Sequence, residues 1–402
     1  METWRKLGVG TCRVEAEPRS RARITLLVNS MGMELHEQLS IAIAVSDARY
    51  TAGRLLNAGD HPRSWPFSQW GVMVAFETQK HLKDVHGTSL NFDWEDDVAE
   101  AARHGGKFFD VRSTQIDSIL NDFRLLAEAT TRAYYPEDRR GRAFDFLRAD
   151  LSVVCDRSEL VLTNVTGHFM VGLSPHRGAD LNLWGPHIRK LTMGIGQMAG
   201  ALTGMNVQEL SVHGSHIDGF PTYLDGDIAK VVPATFGGEF DTDFALSMIS
   251  IQSTVQSARR WAHAECCNTC IAAALKHRFV VLHHSVRSIL QLRERAEVRG
   301  PVAAAYVKSL SDSADLQKIV SDPFRKLRNG WFHLGLGDIA ADLPKNPNIL
   351  SPVITYTRME IEEFADLVNQ CLNLLAETID AWLLEGGDSG FTLFDFLRQP
   401  SE

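Results

Sequence analysis

Two hydrophobic periods run along this chain, and the change from one to the other divides it. "MELHEQLSIAIAVSDARYTAGRLLN", "WGVMVAFETQKHLKDVHG" and "STQIDSILNDFRLLAEATTRAYY" place apolar residues at helical spacing, and each predicts a helix. "RITLLVNS" reads as a strand, "AGDHPRSWPF" as a loop with Pro62 and Pro66, and "YYPEDRRGR" as a turn-rich break. Beyond it, "DLSVVCD" and "ELVLTNVTGHFMVGLSP" alternate or run β-branched, as hairpin strands do. "LWGPHIRKLTMGIGQMAGALTG" predicts a helix closed by Gly204, and "VQELSVHGSH", "IAKVVPATF" and "DFALSMIS" predict strands again. An α+β N-terminal module over residues 20–252 is the expectation.

From about Val255 the pattern is almost wholly helical. "SARRWAHAECCNTCIAAALKHRFVVLHHSVRSILQLRERAE" predicts one long helix or a broken pair, and "PVAAAYVKSLSD" a shorter helix with Pro301 in its first turn. "ADLPKNPNILSP" reads as a loop, and Met359–Glu385 as a last helix with acidic residues in its first turns, where the helix dipole favours them. An all-α helical bundle over 255–385 follows the α+β module, with a C-terminal tail at 386–402.

Length agrees with this division, because 402 residues exceed what one core comfortably serves. The longest clean apolar run, near Leu39–Val45, is too short to span a bilayer, and the first residues lack the apolar stretch of a secretory signal. Six cysteines with Cys266, Cys267 and Cys270 crowded together suit a reducing compartment, and a cytoplasmic protein is expected. The net charge of −9 argues against a nonspecific nucleic-acid binder. Its distribution changes that picture. Gln256–Arg328 carries 13 Lys/Arg and 6 Asp/Glu, whereas Asn329–Glu402 carries 3 and 12.

The charge reverses at "FRKLRNGWFHLGLGD", residues 324–338, which places Arg328 and Asn329 shortly before His333. A guanidinium forks onto phosphate oxygens and an imidazole moves protons near neutral pH, so the two together suffice for metal-free attack of an RNA 2′-hydroxyl on its own phosphate. Five residues along a regular helix turn about 500°, which sets the two side chains roughly 140° apart. One helix therefore does not bring them to one phosphate, and two copies meeting across a twofold axis are expected to build the site. The bare spacing is weak support, because Arg278 and His283 repeat it inside an apolar helical stripe without an Asn after the Arg.

The segment "RNGWFH", with its "PFRKL" lead-in and the long amphipathic helix that follows, resembles the HEPN family. The likeness covers about residues 255–385. It implies a dimerising helical bundle and a metal-independent ribonuclease of defence or toxin systems, needing no cofactor and leaving 2′,3′-cyclic phosphate ends. Arg328 would hold the scissile phosphate, His333 would be the acid/base, Asn329 would position them, and Arg325 and Lys326 would steer RNA. Family members without nuclease activity exist, so a non-catalytic regulator whose bundle serves dimerisation or partner binding is the alternative. "LTMGIGQMAGALTGMNVQELSVHGSH" with "LDGDIAKVVPATFGGEFDTDFALSM" is similar to the ligand domain of AraC-type regulators of the arabinose-binding class. By that likeness the N-terminal module would answer a regulatory ligand or partner protein.

Other clusters are weaker. His263, Cys267 and Cys270 fall on one helix face at soft-metal spacing, but the same stripe continues as Ala274 and Val281, so a packed seam is expected and no metal site is assigned. His213 and His216 of "VHGSHID" lie on opposite faces of a strand, which separates them and Asp218 from common work.

Overall fold

The computed structural model describes residues 33–58, 62–87, 116–134, 150–157, 159–170, 184–206, 209–210, 221–236, 242–263 and 268–385. The strand expected at 23–30, the His213/His216/Asp218 group, Cys267 and the tail at 386–402 lie outside the described residues. Among those described, helices predominate over a small antiparallel sheet. Three of the expected helices lie where the periodicity puts them: α1 (Leu35–Ala58), α2 (Ser64–His86) and α3 (Ile116–Tyr134). α1 and α2 pack on each other, and α5 (Trp184–Thr203) packs on both. Gly71 permits that contact, since a Cβ there would lie 2.7 Å from the Ile195 Cδ1.

The sheet has the order β2-β1-β3, all antiparallel. β1 (Leu151–Asp156) and β2 (Glu159–Thr163) form the expected hairpin, and β3 (Thr222–Gly226) completes it. The chain leaves β2 directly into α4 (Asn164–Met170), where the Thr163 hydroxyl accepts from the Thr166 N–H at 2.9 Å. That cap ends the strand earlier than the β-branched run suggests.

Two expected strands are helices. "IAKVVPATF" is α6 (Ile228–Phe236): the Asp227 side chain accepts from the Ala229 N–H, and the Asp150 carboxylate from the Ile228 N–H, which satisfies its first turn. "DFALSMIS" belongs to α7 (Thr242–Trp261), which is buried on nearly every side from Phe244 to Ala258. A helix enclosed on all sides has no solvent face to set against its buried one, so its amphipathic stripe vanishes and a short stretch of it imitates a strand. The boundary expected between 252 and 255 falls inside α7, which packs on β2, α3 and α6 as well as on the C-terminal helices.

The expected long helix is a broken pair, α7 and then α8 (Asn268–Arg299). α9 (Pro301–Ser311) begins on its proline as expected. α10 (Ala314–Ile319), α11 (Asp322–Phe332), α12 (Ser351–Thr357) and α13 (Ile361–Glu385) follow, with α12 lying partly in the stretch read as a loop. Phe279 of α8, Phe324 and Trp331 of α11 and Phe364 of α13 stack into one aromatic core, with ring centroids 5.2–6.4 Å apart. Each such side chain contributes about 2–3 kcal/mol by burial. α8 also packs along α1, so one core runs from the first described helix to the last. No helix among the described residues is long and apolar enough to cross a membrane.

Candidate functional site

α11 starts at Asp322 with Pro323 in its first turn and buries Phe324, Leu327 and Trp331 against α8 and α13. Its other side faces solvent and carries Arg325, Lys326 and Asn329. Gly330 lets α12 come close, because a Cβ there would lie 2.4 Å from the Tyr356 hydroxyl, which donates to Asp338. The helix stops at Phe332. His333 is its C-cap, with φ −86° and ψ 5°, and its N–H still donates to the Asn329 carbonyl at 2.9 Å. Leu334 then turns left-handed at φ 60°, a conformation costing a leucine roughly 1 kcal/mol. Its buried side chain and its carbonyl, which accepts from the Ser40 hydroxyl of α1 at 2.9 Å, hold it there.

This ending overturns the expectation that Arg328 and His333 point apart. The long Arg328 side chain crosses the gap to meet an imidazole that Glu77 holds from its other nitrogen: Arg328 Nη1 lies 3.1 Å from His333 Nε2. The pair is complete within one chain, so a twofold partner is not needed to bring the groups together.

Arg328 is 5% exposed and held on several sides. Its Nε and Nη2 donate to His284 Nε2 of α8 at 2.9 and 2.7 Å, its Nη1 donates to Asn329 Oδ1 at 3.0 Å, and its guanidinium lies 5.6 Å from the Phe332 ring centre. His284 must be neutral to accept these bonds; burial first, and the Arg328 charge second, hold its pKa well below the ordinary histidine value. His333 meets Glu77 of α2 on its other nitrogen, with Nδ1 2.8 Å from Glu77 Oε2. An arginine only donates, so His333 Nε2 is the acceptor and its proton sits on Nδ1, directed at the carboxylate. The Glu77 side chain is 10% exposed and that of His333 is 38% exposed, so the imidazole is the part of the chain Glu77–His333–Arg328 that solvent reaches best.

Asn329 accepts from Arg328 Nη1 through its Oδ1. Arg325 and Lys326 are exposed on the same side of α11, and both pair with Asp322, Lys326 at 2.9 Å. These two cations hold the Asp322 carboxyl below its ordinary pKa, Lys326 the more strongly. One cationic charge is left over, on the flank that leads to Asn329 and His333.

Glu77 and His284 were not singled out for this role from sequence. The signal for Glu77 was a lone acid inside the apolar run "VMVAFET", and for His284 a histidine in the core stripe of a long helix. The second spacing match stays apart. Arg278 and His283 lie within the unbroken α8, and both ring nitrogens of His283 are buried with no hydrogen-bond partner. Cys270 is buried, His263 bonds the Arg259 carbonyl, and no group of three metal-ligating side chains occurs among the described residues. No family model matches the chain, and no curated protein or solved structure matches it.

Proposed function

We propose that the chain is a metal-independent endoribonuclease of HEPN type, acting as a homodimer under control of its N-terminal half. The observation carrying this reading is the imidazole of His333, open to solvent and gripped by a carboxylate on one nitrogen and a guanidinium on the other. In the first step Arg328 Nη1 turns from His333 Nε2 to a phosphoryl oxygen; the freed Nε2 takes the 2′-hydroxyl proton, the 2′-oxygen attacks the adjacent phosphorus, and the 5′-oxygen leaves with a proton drawn from solvent, giving a 2′,3′-cyclic phosphate. Glu77 balances the imidazolium as it forms, and the Arg328 donor released from His333 stabilises the charge on the phosphoryl oxygens. Arg325 and Lys326 draw the RNA backbone along α11 towards Asn329. Incubation of the purified protein with total RNA in EDTA tests this: cyclic-phosphate ends are expected, and are lost in His333→Ala and Arg328→Ala. Cleavage that survives both substitutions would sink the assigned site.

One observation favours a second reading. Arg328 is buried and spends its donors on His284, Asn329 and His333, as a structural arginine does. The protein would then be a non-catalytic regulator, and no RNA would be cut under any trigger.

A further inference from the structure

The turn at 334–337, which follows His333, leads to a second histidine. The Ser40 hydroxyl of α1 lies 2.9 Å from the Leu334 carbonyl and 3.0 Å from that of His36, which seats the start of α1 against this turn. The His36 ring reaches the far end of the turn: a Cβ on Gly337 would lie 3.8 Å from His36 Nε2 and meet nothing else within 4 Å. The other ring nitrogen, Nδ1, pairs with Glu34 Oε2 at 3.2 Å, and the side chain is 20% exposed. His333 is held in the same manner, by Glu77 on its Nδ1. Two imidazoles, each gripped by a carboxylate on Nδ1, therefore stand at the two ends of one short turn.

Between them the chain alternates. Leu334 and Leu336 are buried, whereas Gly335 and Gly337 are exposed, so the floor joining the histidines carries no side chain. A Cβ at Gly335 would meet nothing within 4 Å, and the φ of Gly335 lies outside the left-handed region. Neither crowding nor backbone strain calls for a glycine at this position, and a bare backbone is what lets a ligand come close. Displacement at phosphorus is in line: the 2′-oxygen enters on one side and the 5′-oxygen departs on the other. A base and an acid accordingly belong at opposite ends of the phosphate.

On the ribonuclease reading, we propose that His36 is the general acid of the cleavage step, with the scissile phosphate lying over Gly335 between the two imidazoles. His36 enters carrying a proton on both nitrogens, and Glu34 balances the charge at Nδ1. As the 2′-oxygen bonds to phosphorus and the bond to the 5′-oxygen breaks, the Nε2 proton passes to the 5′-oxygen, which leaves as an alcohol. His333 gives the 2′-hydroxyl proton up to solvent, and His36 takes one from it, so the solvent proton reaches the leaving group through His36. His81, a turn beyond Glu77 on α2, cannot serve, because its Nε2 is buried.

Two short single-stranded RNAs test this, each with one cleavable linkage: one natural, one with sulfur bridging phosphorus and the 5′-carbon. A thiolate departs without help from an acid, because thiols ionise near pH 8.5, roughly. His36→Ala should lower cleavage of the natural linkage about 100-fold or more, yet cut the sulfur linkage within about fivefold of the parent. His333→Ala should lose both. If His36→Ala melts below the parent, His36→Gln gives the same comparison. Gly335→Leu should keep the parent Tm, since open space receives the side chain, and should lower cleavage about tenfold or more by covering the floor. Unchanged cleavage of the natural linkage without His36, an equal loss on both linkages, or full activity in Gly335→Leu would each overturn the assignment while leaving His333 in place. No cleavage of either linkage by the parent would instead bring down the ribonuclease reading, and this acid with it.

Discussion

Arg328–His333 and Arg278–His283 have the same spacing and opposite fates. The first pair straddles the end of α11, where the Arg328 guanidinium reaches to 3.1 Å from the His333 ring. The second pair lies inside the 32-residue α8, where five residues leave the side chains roughly 140° apart. His283 there touches Phe279 and His284 and bonds to nothing. Spacing decides little; the partners packed around each pair decide whether an arginine and a histidine five residues apart can act together, His284 and Glu77 around the first and buried rings beside His283 in the second.

The largest expected effect tests that difference directly. His333→Ala should lower RNA cleavage by about 10²–10⁴, the usual contribution of a positioned acid/base, whereas His283→Leu should leave cleavage within about twofold of the parent. Equal losses in the two would erase the distinction. Glu77→Gln comes next. Glutamine keeps an acceptor for the His333 Nδ1 proton but removes the charge that balances an imidazolium, so kcat should fall about tenfold with KM nearly unchanged. A rise in KM alone would place Glu77 in RNA binding instead.

How much of this was legible in the sequence follows from the same physics. α5, with one apolar stripe, was placed by periodicity and α1 by its length although it is buried on most sides, and Gly204 marked the end of α5 with its φ of 67°. α7 was read partly as a strand because burial on many sides hides the helical period, and α6 because its nine residues are short and β-branched, although Ile228, Val231 and Val232 share one buried face. Arg328, Asn329 and His333 could be named from local chemistry. Their convergence could not, because it depends on distant partners that hold the two side chains, His284 of α8 on Arg328 and Glu77 of α2 on His333. Glu77 lies 256 positions before His333, and no local pattern joins them.

The buried histidines also allow the contrast to be read in stability. Burial lowers the pKa of His277 and of His283 to about 3, and that of His284 well below its ordinary value. These groups are neutral when folded and take up protons when unfolded, so the unfolded chain binds more protons as pH drops below about 6.5. Stability is therefore fully present above that pH and is lost between about 6.5 and 3, by up to about 1.4 kcal/mol per pH unit for each histidine. Urea midpoints measured across this range should show the loss, and His283→Leu should reduce its slope by one proton's share. That substitution should cost little at neutral pH, since no hydrogen bond is broken. An unchanged slope would mean that His283 is not kept neutral by the fold.

The smallest effect falls on what holds the α11 ending in place. The Ser40 hydroxyl donates to the Leu334 carbonyl at 2.9 Å and also lies 3.0 Å from the His36 carbonyl, tying α1 to the residue immediately after His333. Ser40→Ala should cost about 1 kcal/mol, the usual net worth of one buried hydrogen bond, read as a small drop in Tm. It should also loosen the left-handed Leu334 and with it the angle at which His333 meets Glu77, so cleavage should fall by less than about tenfold. The two readouts should move together. A lower Tm with unaltered cleavage would mean that the buried Leu334 side chain sustains the turn without help, and that α11 and its immediate packing are sufficient to set the pair that α8 keeps apart.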